Sequence, residues 1–240
     1  MLRHARIPRR PATLLVTAAA TLTAAAAAEA RAVATATPNE PGKGTRLHWD
    51  VDAVPPPVAG RVPSSLTMTA PAGFVLRTKA VARRCKPLQA RLDECPRRSR
   101  IGSALMTIGV TTPQGPRDLP VDSKLYLARS NKVLAVTFLA GVRVVPGTIR
   151  RADGMTLAFD PLPVPPAIPG VSYRFKRVTV DLGVSRKVTR RRGGKRRKVR
   201  VHLVSNPSEC PAGSWAMTAG LGFADGTSAL FDAPAPCSEG

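Results

Sequence analysis

From residue 45 onward the chain is broken into about ten short runs of β-branched, aromatic and alternating apolar residues, and this rhythm constrains the fold more than any other feature. The runs are TRLHWDVD, SLTMTAP, FVLRTKAVA, ALMTIGVTT, SKLYLARS, KVLAVTFLAGVRVV, MTLAFD, YRFKRVTVDLGV, KVRVHLVS, SWAMTAGLGF and TSALFDA. Ser130-Asn131, Asp153-Gly154, Gly193-Gly194 and Asp225-Gly226 punctuate them. Such pairs accept the left-handed backbone of tight hairpin turns. Strands at this spacing predict an all-β protein, an antiparallel β-sandwich or open barrel of about ten strands. Only KPLQARLDE, residues 86–94, has helical character. The Pro-rich stretches DAVPPPVAGRVP and DPLPVPPAIPG read as surface connections, so residues 45–240 are expected to form a single β-sandwich-like domain, with a split near residue 120 as the alternative.

The first residues carry a different signal. Arg3, Arg6, Arg9 and Arg10 precede an apolar run from Ala12 to Ala28, followed by small-x-small patterns ending at Ala30 and Ala32. This predicts a signal peptide over 1–32, cleaved near Ala30 or Ala32, a flexible lead over 33–44, and a protein that is secreted or associated with the cell envelope. The apolar run is short and Ala-dominated against the roughly 20 strongly apolar residues of a spanning helix, so no transmembrane span is expected in the mature chain.

Export also bears on the cysteines, which stand at 85, 95, 210 and 237 in two local pairs. An even count in an exported chain reads as disulfides. Of the three connectivities, Cys85 with Cys95 and Cys210 with Cys237 is favoured because each bridge closes a local segment. Loop-closure entropy assigns these bridges about 3 and 3.5 kcal/mol. No C-x-x-C or H-x-x-x-H spacing occurs, and past the signal only His48 and His202 remain, so neither a metal site nor a cofactor is expected.

The chain carries a formal charge of +22, and loss of residues 1–32 removes five Arg and one Glu to leave +18. A balance this basic favours polyanionic partners and says nothing about fold. Arg outnumbers Lys by 28 to 9, as GC-rich coding would produce. That bias does not explain clustering. Ten of the fifteen residues from Arg186 to Arg200 are Lys or Arg and none is acidic. With Gly193-Gly194 as a two-residue turn, Arg192 faces Lys195, Val188 faces Val199 and Val184 faces Leu203. Val178, Val180 and Leu182 share that parity, so residues 178–205 are predicted to form one long hairpin running out of the core. Arg186 opposite Val201 is the single break in the pattern.

Beyond Val188 and Val199 the facing pairs are Arg190 with Arg197, Arg191 with Arg196 and Arg192 with Lys195. Four residues at about 3.3 Å each carry this tip roughly 13 Å past the last apolar pair. Like charges directly opposite destabilise a sheet, so the tip is not a stabilising element. The hairpin is read as a protruding cationic finger for polyanions, with Arg186, Lys187, Arg190, Arg191, Arg192, Lys195, Arg196, Arg197, Lys198 and Arg200 as candidate binding residues. The competing reading is a solvated tip that protects against edge-to-edge aggregation.

Two cysteine-bounded constellations are distinctive. In RCKPLQARLDECPRRSRIGSA a short helix between Cys85 and Cys95 leads through Pro96 to a strand, and CPAGSWAMTAGLGFADGTSALFDAPAPC reads as a hairpin stapled near its open end. Here the chain resembles a family of uncharacterised exported actinobacterial proteins with an ECP-x-x-S-x-I-G element and a terminal CP-x-G-x-W hairpin ending in cysteine. The matching residues are Cys85, Glu94, Cys95, Pro96, Ser99, Ile101 and Gly102, then Cys210, Pro211, Gly213, Trp215, Asp225, Gly226 and Cys237. The resemblance covers most of the chain after about residue 60. It implies secretion and a shared fold, and it transfers no site.

No G-x-S-x-G, H-E-x-x-H, Gly-rich phosphate loop or EF-hand pattern is present, and no catalytic residue is assigned. Asp93-Glu94 and Asp50 with Asp52 are the carboxylate pairs, while Trp49, Trp215, Tyr126 and Tyr173 are expected to be packing residues rather than a sugar platform. His202 reads as structural. Three functions remain. The first is a non-enzymatic exported protein binding anionic cell-wall polymer, lipid head groups or polysaccharide through the basic hairpin, with nucleic acid only an incidental ligand. The second is a structural or protein-adhesion module with incidental charge, and the third is a sandwich-fold hydrolase acting on polysaccharide.

Overall fold

Alternation of apolar and polar residues turns one face of most strands toward a common core. The computed structural model describes residues 31–52, 61–138, 141–151, 154–162, 168–193 and 195–238. The segment through Ala30, Asp153, Gly194 and the Pro-rich stretches 53–60 and 163–167 lie outside the described residues, as do the side chains of Arg190, Arg191, Arg192 and Lys195. Among the described residues the strands are β1 (Arg31–Thr37), β2 (Gly44–Asp52), β3 (Pro63–Ala70), β4 (Val75–Leu76), β5 (Arg100–Thr112), β6 (Gly115–Leu127), β7 (Lys132–Phe138), β8 (Val142–Arg150) and β9 (Met155–Phe159). They continue with β10 (Ser172–Leu182), β11 (Ser185–Arg192), β12 (Lys195–His202), β13 (Val204–Ser205), β14 (Ser214–Trp215), β15 (Thr218–Phe223), β16 (Ser228–Asp232) and β17 (Ala235–Pro236). The protein is all-β, with one short helix, α1 (Pro87–Arg91).

One antiparallel sheet runs β16-β15-β3-β9-β8-β7-β6-β5-β10-β2-β13-β4, and β1 also pairs with β2. β1 packs beside β16 and β17, so the far strands meet and the sheet closes over its own core in a sandwich-like way. That core takes Leu47, Trp49 and Val51 from β2, Val178, Val180 and Leu182 from β10, Leu157 from β9 and Leu221 from β15. It draws on residues from both sides of residue 120. Each such side chain contributes about 1.5–3 kcal/mol on leaving water.

A second, smaller core lies on the outer side of β7. Val133 and Ala135 join the main core, whereas Leu134 and Val136 pack with Cys85, Ala90, Cys95 and Tyr126. Burial on both faces explains why KVLAVTF is apolar without alternation. The cover is α1, begun by Pro87 at its first position and by Lys86 N–H donating to Gln89 Oε1 at 3.1 Å. Cys85–Cys95 closes this cover and Cys210–Cys237 joins the ends of the terminal segment, with Cα separations of 5.1 and 5.8 Å, in the expected local pairing.

Four local expectations are revised. Residues 33–44 are not all lead: β1 pairs with β2 from Arg31↔Asp52 to Thr37↔Arg46 and buries Ala34 and Ala36. FVLRTKAVA is only a two-residue strand followed by a 3-10 turn over Thr78–Ala80. β6 begins at Gly115, eight residues before the run SKLYLARS. Its first half carries Pro116 and Pro120, which suit it because β7 pairs only with 123–127 and leaves that half with β5 alone. The fourth revision concerns the hairpin 178–205.

Candidate functional site

The basic hairpin turns at Gly193, where φ is +57°, and its register is the one the apolar parity demands. Ser185↔His202, Val188↔Val199, Arg190↔Arg197, Arg191↔Arg196 and Arg192↔Lys195 are cross-strand neighbours. It is not, however, one continuous hairpin over 178–205. β10 stays in the main sheet between β5 and β2, while β11 and β12 form a separate two-stranded sheet. Gly183 makes the break at φ +107°, and a Cβ there would lie 2.5 Å from the Thr45 carbonyl oxygen. Only glycine combines that torsion with that approach. Val201 and Leu203 are buried at the root, and β13 pairs with Thr45 and Gly44 at the start of β2, so both arms are tied to one strand.

Arg186, the one break in the alternation, has a structural partner. Its Nη1 donates to the Arg98 carbonyl and its Nη2 to the Arg100 carbonyl. Burial, and secondarily the charge of Arg98, pulls this guanidinium below its ordinary pKa. Arg186 therefore docks the ribbon on the segment that follows Cys95, a structural role that its place among the candidate binding residues did not anticipate. Sequence spacing gave no hint of this, because the contact spans 88 positions.

Lys187, Arg196, Arg197, Lys198 and Arg200 are exposed and form no ion pair among the described residues. Val188 and Val199 are half-buried between them. Cations of the body contribute at the root: Arg46 and Arg100 line a cavity of about 260 Å³ with Asp181, Gly183 and Val184, and Arg98 stands against Arg186. These three arginines are functional candidates that linear reading misses. The ribbon presents guanidinium and ammonium donors along two strands, suited to rows of phosphate or carboxylate oxygens.

The body treats its charges differently. Arg177 makes a forked contact with Asp50, which raises the Arg177 pKa chiefly through the hydrogen bond. Lys176 Nζ lies 2.5 Å from Asp118, Lys124 Nζ lies 3.0 Å from Asp93, and Arg61 pairs with Asp225. His48 Nδ1 is 3.2 Å from Asp181, and His202 is partly buried at the ribbon root, where a Cβ on Gly44 would approach it to 2.5 Å. Asp50 and Asp93 are thus engaged by cations. Trp49, Trp215 and Tyr126 are buried, with Trp215 donating to the Glu209 carbonyl at 2.8 Å and standing edge-on to Phe74 at 5.2 Å. Among the described residues no three His, Cys, Asp or Glu side chains converge, and no helix is long and apolar enough to cross a membrane. The two disulfides suit an oxidising compartment.

Against known proteins the chain matches no family model, no curated sequence and no solved structure.

Proposed function

We propose that this is an exported, non-enzymatic β-sandwich protein that holds anionic envelope or extracellular polymers through the β11–β12 ribbon. The observation that carries the reading is the run of exposed cations Lys187, Arg196, Arg197, Lys198 and Arg200, without an ion pair among the described residues, on a ribbon set apart from the main sheet. Lys176 and Arg177, on the strand just before, are matched to carboxylates. Wall polymer, lipid head groups and acidic polysaccharide share the chemistry that such donors recognise, and nucleic acid is an incidental ligand of the same kind. The basic n-region, apolar run and small-x-small sites of residues 1–32 support export.

The test replaces Arg190, Arg191, Arg192, Lys195, Arg196 and Arg197 with Ser. All six lie beyond the Val188↔Val199 pair and form opposed like-charge pairs, so the disulfides should be unchanged and the thermal midpoint should not fall. Retention on wall, anionic-lipid and acidic-polysaccharide fractions should fall to near background. A folded variant that is retained like the parent contradicts the proposal.

A further inference from the structure

A second group of cations lies far from the ribbon in the strand order, and it too meets no carboxylate among the described residues. Arg84 and Arg151 converge on Thr78: Arg84 Nη2 donates to the Thr78 carbonyl at 2.8 Å and Arg151 Nη1 to its hydroxyl at 3.3 Å. Arg151 Nη2 reaches Asn131 Oδ1 at 3.3 Å, in the β6–β7 turn where Ser130 and Asn131 both have positive φ. Neither guanidinium meets an acid among the described residues. Arg84 Nη1 is buried with no hydrogen-bond partner among the described residues.

A buried guanidinium N–H left unpaired is costly, and a second guanidinium beside it adds repulsion. Burial, then the charge of Arg151, lowers the Arg84 pKa. An anion close to Arg84 would offset the repulsion. Space for one is at hand: Arg84, Lys86, Arg129 and Lys132 line a cavity of about 610 Å³ between the Cys85 loop and the β6–β7 turn. That volume falls in the range of small-molecule sites. Its floor is apolar, with Ala128 and Leu134 both buried. A cationic rim over an apolar floor is complementary to neither a bare inorganic ion nor a neutral lipid.

We infer that this cavity binds a small amphipathic anion, a carboxylate or phosphate ester carrying an apolar chain, with its oxyanion among Arg84, Lys86, Arg129 and Lys132 and its chain against Ala128 and Leu134. The site is independent of the ribbon and of the polymer it holds.

Calorimetric titration of the purified protein with octanoate, octyl phosphate, octanol and inorganic phosphate tests the assignment. Octanoate or octyl phosphate should bind saturably, the stronger of the two naming the head group, while octanol and inorganic phosphate each bind at least about 10-fold more weakly for want of charged hydrogen bonds or apolar burial. The double variant R129Q/K132Q changes only exposed side chains and should lose about 10-fold in affinity. The six-fold ribbon variant should bind as the parent does, whatever becomes of its polymer binding. R84Q should lose more than the double variant, and if it does not fold the double variant decides alone. Lack of saturable binding by either octyl anion, or parental affinity in R129Q/K132Q, overturns the site. Octanol binding as tightly removes the charge from it, and inorganic phosphate binding as tightly removes the apolar floor.

Discussion

β10 and β11 are consecutive strands, both rich in cations, yet they meet opposite fates. β10 carries Arg174, Lys176 and Arg177, lies between β5 and β2, and finds Asp50 on β2 and, across β5, Asp118 on β6. β11 has only β12 beside it, and β12 offers Arg197, Arg196 and Lys195 opposite Arg190, Arg191 and Arg192. Cation content therefore does not decide whether a strand joins the main sheet; the break at Gly183 parts β11 from it, and carboxylates within reach distinguish the cations on either side. Opposed unlike charges support pairing and opposed like charges weaken it, each by about 0.2–1 kcal/mol. Lys176 and Arg177 are neutralised inside the protein, whereas Lys187, Arg196, Arg197, Lys198 and Arg200 form no ion pair among the described residues.

The contrast is easiest to break at the joint. Gly183→Ala puts a Cβ against the Thr45 carbonyl at a positive φ, and should cost about 3 kcal/mol in urea unfolding. At the turn, Gly193→Asn should cost little, since Asn tolerates the left-handed region and a Cβ there meets nothing within 4 Å. Equal losses at both glycines would mean that the joint is not special.

Next in size is the docking of Arg186. Arg186→Ala removes two charge-assisted bonds to carbonyls and should cost about 2 kcal/mol, seen also as faster amide exchange in β11 and β12. Arg186→Lys should recover less than half, because an ammonium cannot serve both carbonyls as the planar fork does. Polymer affinity should change far less than in the six-fold tip variant. A drop as large as that variant's would make Arg186 a binding residue as well as a docking one.

The smallest effects come from making each strand resemble the other. Thr189→Glu places a carboxylate opposite Lys198, which should raise stability by up to about 1 kcal/mol while weakening polymer binding. Asp50→Asn leaves Arg177 without its forked partner and should cost about 0.5 kcal/mol, as expected for an exposed pair. Its polymer binding should be unchanged.

The ribbon register was readable because a glycine pair and a set of valines of one parity agree, and a slip of one residue would put them on opposite faces. The local disulfides were readable for a similar reason, since each closes a short element. Parity, however, carries no information about φ. It ran through Gly183 as if the strand continued, and the break there depends on a backbone approach from Thr45. β1 was hidden because RAVATAT follows an Ala-rich run of similar composition, and the first half of β6 because its prolines suit a strand only where one side is unpaired. The partner of Arg186, and the meeting of Arg84 with Arg151 at Thr78, are tertiary events between distant segments that no spacing rule records.

The salt dependence of binding to a polyanion of known charge spacing tests most directly whether the ribbon's charges are meant for an external partner. Duplex DNA serves as that reporter, with log affinity followed against log salt for the parent and the six-fold Ser variant. The parent slope should be steeper by about 0.9 for every phosphate contact the variant loses, with disulfides unchanged and no fall in the variant's thermal midpoint. Parallel lines for two equally folded proteins would contradict this reading and make the ribbon a solvated tip that protects rather than binds.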